Sequence, residues 1–119
     1  MDEKLIFPEN FVWGAATAAF QVEGGKEDRG DSVWDAYCKV SGAIKDGSDG
    51  SVACDHYHRY KEDVDLLGDI GVDAYRFSVS WPRLLKNGGR ELNDKGVTFY
   101  NRLIDRLSEK NITPFLTLY

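Results

Sequence analysis

Along DHYHRYKEDVDLLGDIG (residues 55–71), Tyr57, Tyr60, Val64, Leu67 and Ile70 recur at steps of three and four, while Arg59, Lys61, Glu62, Asp63, Asp65 and Asp69 fall mostly between them. That spacing predicts an amphipathic helix with one packed and one wet face. Asp55 is the expected cap at its start and Gly71 the expected left-handed stop. The next run, residues 73–81, alternates as a strand does: Tyr75, Phe77, Val79 and Trp81 share one side, and Ala74, Arg76, Ser78 and Ser80 share the other. The aromatic side belongs against helices. The other side is small and polar around one long cation, where a barrel core normally carries branched aliphatics.

The same alternation of periods then repeats. NDKG (residues 93–96) offers a helix start, and Val97, Tyr100, Leu103, Ile104 and Leu107 form a buried stripe that Asn111 can close. ITPFLTLY (residues 112–119) reads as a third, buried strand, with Pro114 near its beginning, where a missing ladder donor is tolerated. Earlier, residues 11–16 read as a short first strand. A loop-rich excursion follows, with one short helix over residues 32–40 capped by Ser32 or Asp31. Strand, helix, strand, helix, strand implies a parallel sheet covered by helices. Two architectures satisfy that order, an open doubly wound sheet and part of a closed barrel. Three strands in 119 residues scale to roughly 320 residues for eight, the usual size of a (β/α)8 barrel.

Composition narrows the function classes. The chain is 42% apolar and 29% charged with a net charge of −5, so it is globular rather than disordered, and its scattered Lys and Arg form no basic stripe for nucleic acid. No apolar run is long enough to span a bilayer, and MDEKLIFPEN lacks the basic and apolar regions of a secretory signal, which makes a cytoplasmic address the expectation. Cys38 and Cys54 suit free thiols better than a disulfide framework or a zinc site.

Candidate chemistry is sparse. No G-x-G-x-x-G or Walker pattern suggests a phosphate cradle. In GAATAAFQVEGG (residues 14–25), the amide of Gln21 can donate and accept, as sugar hydroxyls require, but residue chemistry alone favours a Gly/Ala-rich packing turn with an exposed amide over a ligand contact. His56 and His58 are two apart, so they point in different directions and suit capping or packing rather than a shared metal; no metal or cofactor is expected. Trp13, Trp34 and Trp81 could stack on a sugar ring, although large aromatics more often serve as buried anchors. NGGREL (residues 87–92) reads as a flexible connector. Arg76 stands apart, because a buried guanidinium cannot shed its charge and requires a carboxylate. Glu23 or Asp55 within the chain would serve, as would a catalytic carboxylate outside it.

FVWGAATAAFQVEGG (residues 11–25), SVWD (32–35), DHYHRYKEDV (55–64), YRFSVSWPR (75–83) and ITPFLTLY (112–119) closely resemble family 1 glycoside hydrolases, the β-glucosidase family. The resemblance implies a (β/α)8 barrel of which residues 1–119 supply the first three β/α units, an N-terminal fragment of the catalytic domain. It implies that Gln21 binds hydroxyls of the non-reducing sugar and that Arg76 pairs with the nucleophilic glutamate. Neither catalytic glutamate falls at a matched position, so no catalytic residue is expected in this chain and, alone, it is expected to be inactive. The implied partners are a β-glucoside or oligosaccharide substrate and the remaining barrel segments, in the same or other chains. A non-catalytic sugar-binding or signalling relative of the same barrel is the alternative. Lys86, where many relatives have proline, is a departure expected to affect a loop more than chemistry.

Overall fold

The computed structural model describes residues 3–119. Three short strands, β1 (Gly14–Ala16), β2 (Ala74–Ser78) and β3 (Thr113–Thr117), form one parallel sheet in the order β1-β2-β3. Gly14 pairs with Ala74 at one side of β2, and Ala74 with Thr113 at the other. Between the strands lie α1 (Ala19–Val22), α2 (Val33–Cys38) and α3 (His56–Ile70), then α4 (Trp81–Leu84) and α5 (Asp94–Glu109). Among the described residues, no helix is long and apolar enough to cross a membrane.

The core is built where the two sequence periods meet. Tyr75 and Phe77, from the aromatic side of β2, and Val79 just past its end pack with Val64 of α3 and with Phe99, Tyr100, Leu103 and Leu107 of α5, and Ile112 closes the cluster. Burying side chains of this size contributes about 1.5–3 kcal/mol each, so this interface carries most of the cohesion. Phe99, which the helical stripe omitted, sits at its centre against Tyr57, Tyr60 and Tyr100.

Helix ends agree with the sequence in position more than in chemistry. Gly71 ends α3 with φ 83°, a conformation that costs a side-chain-bearing residue about 1–2 kcal/mol. Asp55 does begin α3, but it adopts φ 55° and makes no side-chain cap; its carboxylate lies 2.6 Å from His58 Nδ1 instead. Asn93 likewise precedes α5 without capping it, because its amide donates to the carbonyls of Asp28 and Arg83. Ser32 does cap α2, in a reciprocal capping box with Asp35.

Four expectations are corrected. β3, read as a buried strand, leaves Phe115 55% and Leu116 42% exposed, because it is an edge strand of the three-stranded sheet. Ile70, placed on the packed face of α3, is the last residue of that helix and is 74% exposed. β2 ends at Ser78 rather than at residue 81, and Trp81 opens α4. Pro82 explains the change: its fixed φ and missing N–H suit a helix's first turn and do not continue a ladder. Residues 11–13 lie outside β1; there Phe7, Phe11 and Trp13 gather into an aromatic cluster with centroids 4.6–4.8 Å apart. Cys38 and Cys54 are free thiols.

Candidate functional site

The C-terminal ends of all three strands open on one cleft of about 710 Å³, with Thr17, Ser78 and Thr117 at its floor and Trp34 and Trp81 among its walls. This is the end of a parallel α/β sheet at which ligands bind, since loops leaving the strands can converge there.

Arg76 lines the cleft. Its residue is exposed rather than buried, and among the described residues its guanidinium makes no ion pair. The two internal partners considered for it are committed elsewhere. Asp55 lies against His58, and Glu23 accepts from Arg83 Nε at 2.8 Å and from the Tyr100 hydroxyl at 2.5 Å. The reason is topological: the aromatic side of β2 is covered by α3 and α5, whereas the side carrying Arg76 and Ser78 faces open space.

The most deeply buried cation among the described residues is Arg83, which sequence reasoning missed. It is fully buried in α4, stacks 4.1 Å from the Tyr57 ring centroid, and donates from Nη2 to Gly24 O at 2.6 Å and from Nη1 to Gly25 O at 3.2 Å. Gly24 takes φ 63°, and a Cβ there would strike the Val52 carbonyl, so this turn is built around glycine. Burial first, and then the Glu23 charge, push the Tyr100 phenol well above its ordinary range, so it acts as a neutral donor to Glu23. The available signal was Pro82: once WPRL is read as a helical turn, Arg83 no longer belongs to the strand.

Gln21 lies exposed on α1 between Phe20, which lines the cleft, and Val22; its own side chain is not among those lining the cleft. The segment is tied to β2 at three points: Thr17 N–H donates to Arg76 O at 3.0 Å, Ala19 N–H donates to Ser78 Oγ at 2.8 Å, and the Thr17 and Tyr75 hydroxyls are hydrogen-bonded at 2.5 Å. Gln21 and Arg76 therefore belong to adjacent, hydrogen-bonded segments at the same end of the sheet.

A second polar cluster sets the far wall. Arg29 grips Asp35 through two bonds of 2.6 and 3.0 Å with both side chains almost wholly buried, and Lys26 and Lys39 bond Asp31 beside it. This anchors α2 and brings Trp34 to the cleft. Trp13, Trp34 and Trp81 are 51%, 56% and 46% exposed, so none is the buried anchor expected of a large aromatic. His56 lies 2.6 Å from Asp63, and His58 pairs with Asp55 and Glu27, so the two histidines serve separate packing and surface contacts. Among the described residues no group of His, Cys, Asp and Glu could hold a metal ion.

The family model for glycosyl hydrolase family 1 matches residues 3–119. The chain belongs to that family. It is 53% identical to a 1,4-beta-D-glucan glucohydrolase of Thermotoga neapolitana over 95% of this chain and 27% of the relative. It is 50% identical to Beta-glucosidase A of Acetivibrio thermocellus over 98% of this chain and 26% of the relative. A family 1 β-glucosidase from Thermotoga maritima, 52% identical, superposes with a TM-score of 0.90 over 95% of this chain and 26% of that one, and that enzyme has been solved in complex with castanospermine. This family 1 chain thus spans about a quarter of the length of the relatives it matches. Its three parallel β/α units are the first of a (β/α)8 barrel, and the open doubly wound sheet is set aside.

Proposed function

We propose that this chain is the N-terminal part of a retaining β-glycosidase that releases terminal β-linked glucose, with Gln21 binding sugar hydroxyls and Arg76 holding the nucleophilic carboxylate. The observation that carries the reading is the guanidinium of Arg76. It lies mid-way along β2, lines the cleft onto which the strands' C-terminal ends open, and makes no ion pair among the described residues. A permanently charged group in that position suits a carboxylate supplied by another part of the barrel.

In the double displacement, one carboxylate attacks the anomeric carbon as the second carboxyl gives its proton to the departing glycosidic oxygen. Water then attacks the glycosyl-enzyme, losing a proton to the second group and freeing the first. The two carboxyl groups stand about 5–5.5 Å apart. Both belong to polypeptide outside these 119 residues in this reading, and Arg76 acts by keeping the nucleophile ionised and aimed. Gln21 supplies paired donor and acceptor capacity to vicinal hydroxyls.

The deciding experiment assays release of an aryl leaving group from an aryl β-glucoside, first with this chain alone and then with the chain joined to the remaining barrel. Turnover only in the second case is the expected result. A complete barrel that binds the glucoside without cleaving it would establish a sugar-binding protein instead.

A further inference from the structure

α1 is four residues long, a single turn bounded by backbone bonds from Gln21 N–H to Ala18 O at 3.0 Å and from Glu23 N–H to Ala19 O at 2.9 Å. A single turn is far too short to persist by itself, since helix nucleation is unfavourable until several bonds form. Its orientation is therefore imposed from outside, and each end shows how.

At the start, Ala18 occupies the cap position and offers no side-chain acceptor. The orphan N–H of Ala19 is taken instead by Ser78 Oγ, reaching across from β2 at 2.8 Å. Ser78 lies two positions beyond Arg76, on the same side of the strand. At the other end, Arg83 directs Nε to the Glu23 carboxylate and its two terminal nitrogens to the carbonyls of Gly24 and Gly25, so one guanidinium grips three consecutive residues. Tyr100 holds the second oxygen of Glu23, and Tyr57 N–H donates to the Glu23 carbonyl at 2.9 Å. Glu23, Arg83 and Tyr100 are all buried, which makes this the stiffer of the two anchors.

We propose that Ser78 and Arg83 are positioning residues for Gln21: by fixing opposite ends of α1 they set the angle at which the Gln21 amide meets a sugar hydroxyl. This rests on the sugar-binding role of Gln21 proposed above. Neither residue contacts the sugar in this arrangement; Ser78 acts through the Ala19 N–H, and Arg83 through the Glu23 carboxylate and the Gly24 and Gly25 carbonyls that follow α1.

The test is a double-mutant cycle in the complete enzyme, reading kcat/KM on an aryl β-glucoside for Ser78→Ala and Gln21→Ala, singly and together. Ser78→Ala is expected to lower kcat/KM roughly tenfold, the value of one neutral hydrogen bond, and to lower it less than about twofold once Gln21 is alanine. Ser78→Thr, which keeps the acceptor oxygen, restores activity. Arg83→Lys keeps the charge but loses the fork, and is expected to behave as Ser78→Ala does; if it fails to fold, the Ser78 arm decides. Amide hydrogen exchange over residues 18–25 is expected to rise in Ser78→Ala. An equal loss from Ser78→Ala in both backgrounds, or unchanged exchange, overturns the positioning role while leaving Gln21 as a sugar ligand. Full activity of Gln21→Ala alone overturns the sugar-binding role and this inference with it.

Discussion

Arg83 Nε lies 2.8 Å from Glu23 Oε2, joining residues sixty positions apart in a pocket closed to solvent. The pair links the segment after β1 to the turn after β2, and Tyr100 of α5 completes it.

Breaking one side of that pair strands a buried charge. Arg83→Met is expected to destabilise the protein by about 3–5 kcal/mol, and Glu23→Gln combined with Arg83→Met to cost less than the sum of the two single changes. Equilibrium denaturation of the three variants measures this, and strict additivity would contradict an energetically coupled pair.

Two helical glycines should respond to alanine with opposite signs. Gly68 of α3 has room for a methyl group, with Lys110 Cδ the nearest atom at 3.7 Å, so Gly68→Ala gains up to about 1 kcal/mol from helix propensity. Gly96 of α5 packs on the Arg83 carbonyl, which a Cβ would strike, so Gly96→Ala loses about 1–3 kcal/mol despite the same propensity gain. Thermal unfolding of both variants compares the two directions directly.

Acid should weaken the α2 wall. Burial pushes Asp35 up, but Arg29 and the N–H and hydroxyl of Ser32 outweigh it and hold its carboxyl well below the usual carboxylate range. A depressed folded-state pKa gives stability that is complete above the unfolded value of about 3.9 and lost as pH falls toward the folded one. The stability difference between the unaltered protein and Asp35→Asn is therefore expected to be flat from about pH 7 to 5 and to narrow below about pH 4. A difference that widens on acidification would contradict the assignment.

Arg76 should separate stability from turnover. Because it is exposed and makes no ion pair among the described residues, Arg76→Ala in this chain is expected to shift stability by no more than about 0.5 kcal/mol. In the complete enzyme the same change is expected to lower kcat far more than affinity for a sugar inhibitor. Kinetics paired with inhibitor titration reads both quantities, and equal losses would count against nucleophile positioning.

Much of the fold was legible in local pattern. The threefold and fourfold recurrence from Tyr57 to Leu67 marks α3, and the twofold recurrence of Tyr75, Phe77 and Val79 marks the covered side of β2, because burial of one face imposes the period of the element on the chain. Family-specific blocks carried the barrel assignment. Local pattern misplaced Trp81, where Pro82 turns the chain into α4, and it gave no hint that Asn93 would spend its amide on Asp28 and Arg83 rather than on capping.

The cleft depended on tertiary placement. Sequence alone determined that a single cation sits opposite the aromatic side of β2 and that a polar amide follows β1. Only the folded chain decided that Arg83 is buried and Arg76 is not, that Arg83 takes Glu23, and that Arg76 faces the cleft. The physical reason is that periodicity encodes which side of an element is covered by its neighbours, whereas an ion pair depends on a few ångströms between groups far apart along the chain, and the sequence holds no local record of that separation.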